Sequence, residues 1–583
     1  MNIVESDQVL LNAGFCPPRF RALIPNEDNY SALLLQPNGE LEADANGIRH
    51  RDVPLAERQF AAFLKTAKDD NVDLAITPEY SLPWSVLTSV IAAGNGPSEG
   101  SLWCLGCESL RYAELEVIKQ NLAAQATVIY EALPAEGQRF VNPLAYVFRT
   151  CSQQDGTGHL IILVQFKTCP MAGDNDHFEV NGMQRGTTIY AFGGTVEQVR
   201  LVSLICSDAL QFDDAHATQI YDRAIVIHIQ LNPKPRHTQF RQYRSKLFRT
   251  DGDATEILSL NWARDVSMRF GGATTCWNNV AGSAWYLRPR GFDSRDPALV
   301  QNHQRGLYYT WCPSLRAHAM FLNFAPAVFR ITATKVFHFN VIGVLCRRIG
   351  PRLTSMSSWD DGNSIWIAQP SDDHFSTLLP ACGAINAEMQ ALAANNPFNA
   401  ERVLALAAGQ INGNARWHEV GELDSCTIPE TETIRRITFC QDSEPEALQF
   451  RQGRVSRVRR LCEEILASPA QIPPSLADLQ AGRHFEWVPE APHQNIIANS
   501  GKRATVIYVG EDASQADAQK VKKRAAEYLR RSSRDHDHEL ESKQRLAVWY
   551  RKDGGAVELL DREQYLKYDE PRTGLEFDIA RTT

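Results

Sequence analysis

The first two-thirds of the chain is predicted to adopt an α/β fold. Short apolar runs of strand length alternate there with segments of helical periodicity. Two of these runs, Leu160–Phe166 and Ala224–Ile229, are apolar at nearly every position. Strands of that kind are buried on both faces, as in a sheet covered by helices or by a second sheet. We therefore expect a layered α/β domain that extends to about residue 370.

The elements of this domain follow one another closely. The apolar runs predict strands at Ser31–Gln36, Asp73–Thr77, Leu102–Gly106, Ala126–Tyr130, Leu160–Phe166, Leu201–Ile205 and Ala224–Ile229. Amphipathic spacing predicts helices over Asp52–Lys68 and Tyr112–Ala124. Pro78 is expected to end the second strand, because proline cannot donate to a strand ladder.

Beyond residue 370 the pattern changes. Residues 371–490 are rich in Ala, Leu, Glu and Arg with helical spacing, broken at Asn395-Asn396-Pro397. Residues 491–583 predict a small α+β unit, with a strand at Ala504–Val509 and a helix from about Ser514 to Arg531. A hairpin is expected across Lys552–Gly555. We therefore predict three domains, over 1–370, 371–490 and 491–583.

Composition excludes several classes of protein. With 583 residues, 44% hydrophobic and 22% charged, the chain is too long for one core and has ordinary globular usage. A net charge of −9 gives no general basic surface, so we do not expect nucleic-acid binding. Thirteen scattered cysteines and an N-terminus without a signal-peptide pattern favour reduced thiols in the cytoplasm. No apolar stretch is long enough to predict a membrane span.

Three predicted strands are each followed by one reactive residue: Glu79, Lys167 and Cys206. Functional residues of open α/β sheets collect beyond the carboxyl ends of strands. A carboxylate can take the proton of a thiol, and an ammonium group can stabilise an oxyanion. Taken singly, however, Cys206 is most simply a small buried residue, and Glu79 and Lys167 are ordinary polar residues. Only the combination predicts acyl-transfer chemistry.

The sequence around these residues resembles the nitrilase, or carbon–nitrogen hydrolase, superfamily. Leu74–Pro83 (LAITPEYSLP) is similar to the family motif in which an apolar strand enters Pro-Glu, and Leu201–Asp208 (LVSLICSD) to its Cys-x-Asp motif. Lys167 stands at the spacing of the family lysine. Weaker matches follow in the family order, at Gln36, Phe140-Val-Asn-Pro143, Glu179, Asn261-Trp262 and Gly282-Ser283. The resemblance covers about residues 28–320.

This resemblance implies a nitrilase-like four-layer α-β-β-α sandwich over residues 1–370. It implies that Cys206 is the nucleophile, Glu79 the general base and Lys167 the stabiliser of the tetrahedral intermediate. The backbone N–H of Ser207 would be an oxyanion-hole donor.

A second carboxylate is also implied by the resemblance. Glu179 would position Lys167 and the substrate, and Asp174 and Asp176 compete for that role.

The implied activity is hydrolysis of a non-peptide C–N bond, in an amide rather than a nitrile, through a cysteine acyl-enzyme. The resemblance implies no metal or organic cofactor, a small-molecule amide or nitrile substrate and a homo-oligomer. The C-terminal half would be a regulatory or assembly module, which leaves a protein partner open. Ser207 and Gln211 depart from the family pattern, so the substrate stays open.

Two other functions are left open by the sequence. One is an ammonia-releasing or acyl-transferring component of a multi-protein system, such as a defence or signalling system. The other is a non-catalytic scaffold with a nitrilase fold. Two further features have simple structural explanations: Cys104 lies within the predicted strand Leu102–Gly106 and Cys107 directly after it, and the arginines of Arg451–Arg460 precede Glu463 and Glu464 at the spacing of helical ion pairs.

Overall fold

The computed structural model describes most of residues 1–560. The residues left out of this description are 27, 45, 135–138, 172–177, 196, 221–222, 234–237, 250–254, 278–282, 289–297, 313–314, 316, 324, 336–349, 372–378, 396, 412–444, 512, 552–554 and 561–583. The chain divides into two compact units, and among the described residues the division falls between Ser371 and Leu379.

The strands are numbered in chain order. They are β1 (Asn2–Glu5), β2 (Asn29–Gln36), β3 (Glu40–Asp44), β4 (Gly47–His50), β5 (Leu74–Leu82), β6 (Leu102–Cys107), β7 (Leu110–Arg111), β8 (Thr127–Tyr130), β9 (Phe140–Val141), β10 (Pro143–Cys151), β11 (Gly158–Phe166), β12 (Thr188–Phe192), β13 (Arg200–Ile205), β14 (Ala224–Ile229), β15 (Thr255–Leu260), β16 (Val266–Phe270), β17 (Ala273–Trp277), β18 (Ala284–Leu287), β19 (Leu307–Cys312), β20 (Ala317–Leu322), β21 (Ala327–Thr334), β22 (Arg352–Asp360), β23 (Ile365–Ala368), β24 (Arg483–Phe485), β25 (Ile496–Ala498), β26 (Arg503–Tyr508), β27 (Leu546–Arg551) and β28 (Val557–Leu559).

The helices are numbered in the same way. They are α1 (Ser6–Asn12), α2 (Val53–Asp69), α3 (Trp84–Ala92), α4 (Tyr112–Asn121), α5 (Phe178–Gly182), α6 (Asp214–Ile220), α7 (Thr238–Arg249), α8 (Ala298–Arg305), α9 (Asn386–Asn395), α10 (Pro397–Ala407), α11 (Pro445–Arg460), α12 (Gln515–Ser532) and α13 (His536–Gln544). A short 3-10 turn covers Cys206–Leu210, directly after β13.

The first unit is built on two large mixed sheets. Among the described residues, sheet A has the strand order β23-β22-β21-β2-β5-β6-β10-β11-β8, and sheet B has the order β1-β12-β13-β14-β15-β18-β20-β19. The strands β2, β5 and β6 are parallel neighbours in sheet A, as β13, β14 and β15 are in sheet B. A smaller sheet C has the order β17-β16-β3-β4. The first unit is thus a mixed α/β structure.

Both faces of the central strands of the two large sheets are buried. Alternate residues of one strand enter different cores: Leu34 of β2 packs with residues of sheet B such as Ile205, whereas Leu33 packs with helix α2 through Phe60. On the outer face of sheet B, Val202 packs with side chains of α6 and α7. Because a strand projects successive side chains to opposite faces, continuous apolar runs are needed where both faces are covered. The apolar runs that predicted the strands are therefore explained by the burial of both faces of these strands.

The second unit combines helices with sheet D, whose strand order is β24-β25-β26-β27-β28. One core joins Leu404 of α10, Val458 of α11, Val506 of β26 and Trp549 of β27. The domain boundary predicted near residue 490 thus lies inside this core and does not separate two cores. Helix α12 begins as the sequence predicts, with the Ser514 side chain accepting a hydrogen bond from the Asp517 N–H at 3.2 Å.

No helix of the described residues is long and apolar enough to cross a membrane.

Strand β5 differs from its prediction in a way that matters for the site. It does not end at Pro78 but continues to Leu82. Its regular pairing with β6 stops at Thr77 and resumes only at Leu82, so the residues between form a bulge. Tyr80 in this bulge has a φ of 58°. The missing ladder donor of Pro78 is accommodated because the bulge takes it out of the ladder.

Gly106 of β6 lies against this bulge. A Cβ atom at Gly106 would lie 2.6 Å from the Pro78 carbonyl carbon and 2.9 Å from the Glu79 nitrogen, closer than real Cβ contacts allow. We expect Gly106→Ala to displace Pro78 and Glu79 and to lower the free energy of unfolding by about 1–3 kcal/mol. Chemical denaturation would measure this loss. Gly158→Ala is the control, because its Cβ would meet no atom within 4 Å; equal stability of the two variants would contradict the role of Gly106.

Candidate active site

Lys167 lies at the centre of a buried charge cluster. It directly follows β11, and its Nζ lies 2.8 Å from Glu79 Oε1 and 2.8 and 2.7 Å from the two carboxylate oxygens of Glu179. The side chains of Lys167 and Glu79 are each 1% exposed, and that of Glu179 is 8% exposed. Ions so far from water require close partners, and here each has at least one.

Glu79 is also fixed by neutral donors. Its Oε1 accepts from the Asn142 Nδ2 at 2.7 Å, and its Oε2 accepts from the Leu231 backbone N–H at 2.7 Å. The indole N–H of Trp262 donates to the Glu79 carbonyl oxygen at 2.7 Å. Because Leu231 and Trp262 follow strands of sheet B, the carboxylate on sheet A is held from both sheets. Its position is therefore set by the packing of the whole first unit.

Glu179 is held in a similar way. Its Oε1 accepts from the Tyr80 hydroxyl at 2.6 Å, and its Oε2 from the Met171 N–H at 2.6 Å. Tyr80 comes from the β5 bulge, directly after Glu79. The bulge thus supplies one carboxylate and the hydroxyl that orients the other.

Cys206 faces the same cluster from the end of β13. The residue is 1% exposed, and the charges of Glu79 and Lys167 both act on the pKa of its thiol. Its backbone has a φ of 43°, in the left-handed region that L-residues seldom occupy. This sharp turn at the strand end is a source of backbone strain, which is common at functional sites.

The protonation behaviour of the cluster follows from burial and charge. Burial raises the pKa of Glu79, the Lys167 charge opposes this change, and Glu179 adds to it. Burial and the Glu79 charge raise the pKa of the Cys206 thiol well above its usual value, although Lys167 opposes them. Burial lowers the pKa of Lys167, but the two carboxylates outweigh burial and hold it well above its usual value. The resting site therefore contains a protonated thiol and an ammonium ion.

Asp208 connects the loops of the two reactive residues. Its Oδ1 accepts from the N–H and hydroxyl of Thr168, both at 2.8 Å, and from the Cys169 N–H at 2.9 Å. Its Oδ2 accepts from the Ile205 N–H at 3.2 Å. Burial raises the pKa of Asp208, whereas the hydrogen bonds from Thr168 and Cys169 lower it. This carboxyl group ties the segment after Lys167 to the turn at Cys206.

The structure brings together four of the residues that the sequence singles out: Glu79, Lys167, Glu179 and Cys206. Ser207 is buried next to Cys206, and its hydroxyl donates to the Cys169 carbonyl at 2.5 Å. Asp174 and Asp176, the competitors of Glu179, lie outside the described residues.

Four further residues of the site have no role that the sequence predicts: Tyr80, Asn142, Asp208 and His228. Tyr80, Asn142 and Asp208 stand inside the motifs that carry the family resemblance, so those motifs contained their signal. His228 is a lone histidine in the apolar strand β14. That isolated polar residue is the only signal the sequence offers for it.

The Cys-x-x-Cys pair lies on β6 but on opposite faces. Cys104 packs between the two sheets and Cys107 packs under the helices of sheet A. They cannot therefore ligate one metal ion together. The basic run of α11 pairs with acids, Arg459 with Glu463 at 2.9 Å and Arg460 with Glu464 at 3.8 Å.

Several of the solved structures that this chain resembles are described as members of the nitrilase, or carbon–nitrogen hydrolase, superfamily. A glutamine-dependent NAD+ synthetase from Acinetobacter baumannii is 12% identical, with 65% of this chain and 56% of that chain covered and a TM-score of 0.28. The carbon–nitrogen hydrolase superfamily protein XC1258 from Xanthomonas campestris is 12% identical, with 52% of this chain and 90% of that chain covered and a TM-score of 0.29. Nit3 of Saccharomyces cerevisiae is 12% identical, with 46% of this chain and 84% of that chain covered and a TM-score of 0.27.

The chain spans just over half the length of that synthetase. No protein-family model matches the sequence, and no curated protein matches it. With identities near 12% and TM-scores below 0.3, the chemistry of this chain has to be inferred from its own residues.

Removal of Lys167 should lower the free energy of unfolding, because the two buried carboxylates then lose their cation. In Lys167→Met, Glu79 and Glu179 stay buried together without a cation, so we expect a loss of about 3–5 kcal/mol of unfolding free energy near neutral pH. Without Lys167, the main causes that lower the pKa of Glu79 are lost, and the hydrogen bond from the Leu231 N–H remains to oppose burial and the Glu179 charge. The folded variant then binds more protons than the unfolded chain above about pH 4, so its stability falls as pH rises.

Urea unfolding at about pH 5 and about pH 8 measures this dependence, and the loss should be larger at the higher pH. Lys65→Met is the control. Lys65 is 76% exposed and pairs with Asp69 at the surface, so its loss should cost less than about 1 kcal/mol at either pH. If the loss of unfolding free energy in Lys167→Met does not change with pH, the two carboxylates are not left charged and buried in that variant.

Proposed function

We propose that the protein is a thiol hydrolase that cleaves a non-peptide C–N bond, in an amide rather than a nitrile. The observation that carries this proposal is the convergence of a thiol, a carboxylate and an ammonium group. Glu79 and Lys167 lie close enough to Cys206 for their charges to act on the pKa of its thiol, and Glu79 Oε1 lies 2.8 Å from Lys167 Nζ. A nucleophile within reach of a base that is itself oriented by a third group is the arrangement expected for covalent catalysis.

The charges of the site decide how the thiol is activated. Lys167 contributes one positive charge, and the ionised Glu79 and Glu179 contribute two negative charges, so the cluster carries one net negative charge. A net negative neighbourhood disfavours a resting thiolate, in agreement with the raised pKa of Cys206. We therefore assign Glu79 as a general base that takes the thiol proton during attack. A raised pKa suits Glu79 for that exchange near neutral pH.

In the acylation step, Cys206 Sγ bonds to the amide carbonyl carbon and its proton passes to Glu79. Lys167 and the backbone N–H of Ser207 stabilise the oxyanion. Glu79 then gives the proton to the leaving nitrogen, the C–N bond breaks and ammonia or an amine departs. The product on the enzyme is a thioester at Cys206.

In the second step, water attacks the thioester carbon and Glu79 accepts one proton from it. The C–S bond breaks, the acid leaves, and the proton returns to the sulfur. Glu179 contacts Lys167 through both of its oxygens and is assigned as the residue that positions the ammonium group.

We extend the proposal to the fold and the assembly. The two sheets with buried inner and outer faces support a nitrilase-like four-layer α-β-β-α sandwich for the first unit. We propose a homo-oligomer without metal or organic cofactor, located in the cytoplasm. We assign the C-terminal half a regulatory or assembly role, in which it binds a protein partner.

Loss of the nucleophile or the base should abolish turnover. We expect Cys206→Ala to release no ammonia above background from a panel of short amides and nitriles. Glu79→Gln should lower the rate by at least about a hundredfold, because a positioned acid–base group contributes that much or more. Ammonia release measures turnover, and hydroxamate formation with hydroxylamine detects the thioester.

Cys276→Ala is the matched control, because it removes an exposed thiol of the same unit. Intact-mass analysis should find an acyl adduct on wild type and Cys276→Ala but not on Cys206→Ala. Amide hydrolysis that survives Cys206→Ala in full would overturn the assignment. A folded wild type that forms no adduct and releases no ammonia from any substrate would favour a non-catalytic scaffold.

A further inference from the structure

The turn at Cys206 needs support that the catalytic cluster does not supply. Cys206 is a buried, non-glycine residue with a φ of 43°, and such a conformation persists only where its surroundings hold it. The charges of the cluster act on the thiol, whereas the backbone carbonyl of the same residue belongs to the strained turn. The group bound to that carbonyl is His228.

His228 lies on β14, the parallel neighbour of β13, where it pairs with Leu204. Its Nε2 lies 2.9 Å from the Cys206 carbonyl oxygen. Its Nδ1 lies 2.7 Å from the hydroxyl oxygen of Tyr243 on α7. Since a carbonyl oxygen can only accept, Nε2 carries the hydrogen, and in the neutral ring Nδ1 then accepts from Tyr243. The two contacts define a single tautomer.

The surroundings keep this ring neutral. Burial, together with the charges of Arg244 and Lys167, lowers the pKa of His228 to about 3, although the hydrogen bond to the Cys206 carbonyl opposes this change. Arg244 itself packs over the ring of Tyr243, with its guanidinium carbon 5.8 Å from the ring centre. No protonation change of His228 is therefore expected near neutral pH.

We propose that His228 and Tyr243 form a positioning pair that holds the Cys206 turn, so that the thiol meets Glu79, and that His228 is not the base of a Cys–His dyad. The inference rests on the proposed function, and it assigns two residues to the support of the nucleophile. Both ring nitrogens are engaged, one with a backbone carbonyl and one with a phenol. Neither is directed at the thiol, so the thiol proton passes to Glu79.

The experiment compares variants that keep or remove these contacts. His228→Gln retains an amide donor near the Nε2 position and an acceptor, whereas His228→Leu retains neither. Tyr243→Phe removes only the hydroxyl. The readouts are the rate of Cys206 alkylation by iodoacetamide as a function of pH, resolved by peptide mass analysis, and amide hydrolysis. Circular dichroism and thermal melting establish that each variant is folded.

We expect His228→Gln to stay within about threefold of wild type in both rates, with an unchanged pH profile. His228→Leu should alkylate Cys206 at least about tenfold more slowly, and Tyr243→Phe should show a smaller decrease. In wild type labelled with ¹⁵N-histidine, the nitrogen shifts of His228 should report a neutral ring protonated at Nε2 and should not titrate between about pH 5 and pH 8. If His228→Leu does not fold, the inference is tested by the rates of His228→Gln and Tyr243→Phe and by the nitrogen shifts of His228.

A second histidine–tyrosine contact supplies the control. His318 Nδ1 lies 2.8 Å from the Tyr309 hydroxyl oxygen, and burial lowers the pKa of His318 to about 3. These residues lie on β20 and β19, away from β13 in the order of sheet B. Tyr309→Phe should therefore leave Cys206 alkylation unchanged.

Two results would overturn the inference. One is a His228→Gln variant that is as inactive as Cys206→Ala and has lost an inflection near neutral pH, since His228 would then act as a base. The other is a folded His228→Leu variant that alkylates Cys206 as fast as wild type. Failure of the proposed function has a different signature: no amide would be hydrolysed by wild type, while the histidine shifts would keep their predicted tautomer.

Discussion

The ion cluster at Lys167 is the interaction on which the rest of the site depends. An ammonium group and two carboxylates are removed from water together, and none of them would be tolerated alone. Lys167 follows one strand of sheet A, Glu79 lies on another, and Glu179 lies on a short helix. The backbone donor to Glu79 comes from the loop after β14 in sheet B. The charge balance therefore holds only when both sheets are packed against each other, which couples the chemistry of the site to the core of the unit.

Two of the non-glycine residues with positive φ, Tyr80 and Cys206, lie in the segments that present reactive groups. The bulge of β5 turns Glu79 inward and places Tyr80 at a φ of 58°, and the turn after β13 places Cys206 at 43°. Each strained position is bound by its own hydrogen bonds: Tyr80 through its hydroxyl to Glu179, and Cys206 through its carbonyl to His228. Asp208 adds a link between the loops of Lys167 and Cys206. These bonds stabilise conformations that the backbone alone disfavours.

The sequence predicted the elements of the buried sheets well, because continuous apolar runs have one simple structural cause. The strand at Ala224–Ile229 has the predicted bounds, and helix α2 begins one residue after Asp52, which caps it. The sequence could not predict that β5 continues beyond Pro78, because that bulge depends on the space left by Gly106 on the next strand. The convergence of Glu79, Lys167 and Cys206 was predictable from their places after strands and from motif resemblance. The role of His228 was not, since its partners lie at Cys206 and on α7 and no spacing rule connects them.

The neutral state of His228 has a consequence for the charge balance of the site. A protonated imidazole beside Cys206 would cancel the net negative charge of the Lys167 cluster and favour a thiolate at rest. Because burial and the charges of Arg244 and Lys167 keep the ring neutral, that compensation is absent. The thiol then stays protonated until a substrate carbonyl accepts the sulfur and the negative charge moves to an oxygen near Lys167. Under the proposed mechanism, the Cys206 thiol thus becomes nucleophilic only when a substrate is bound. Glu79 alone accepts the proton that the sulfur loses.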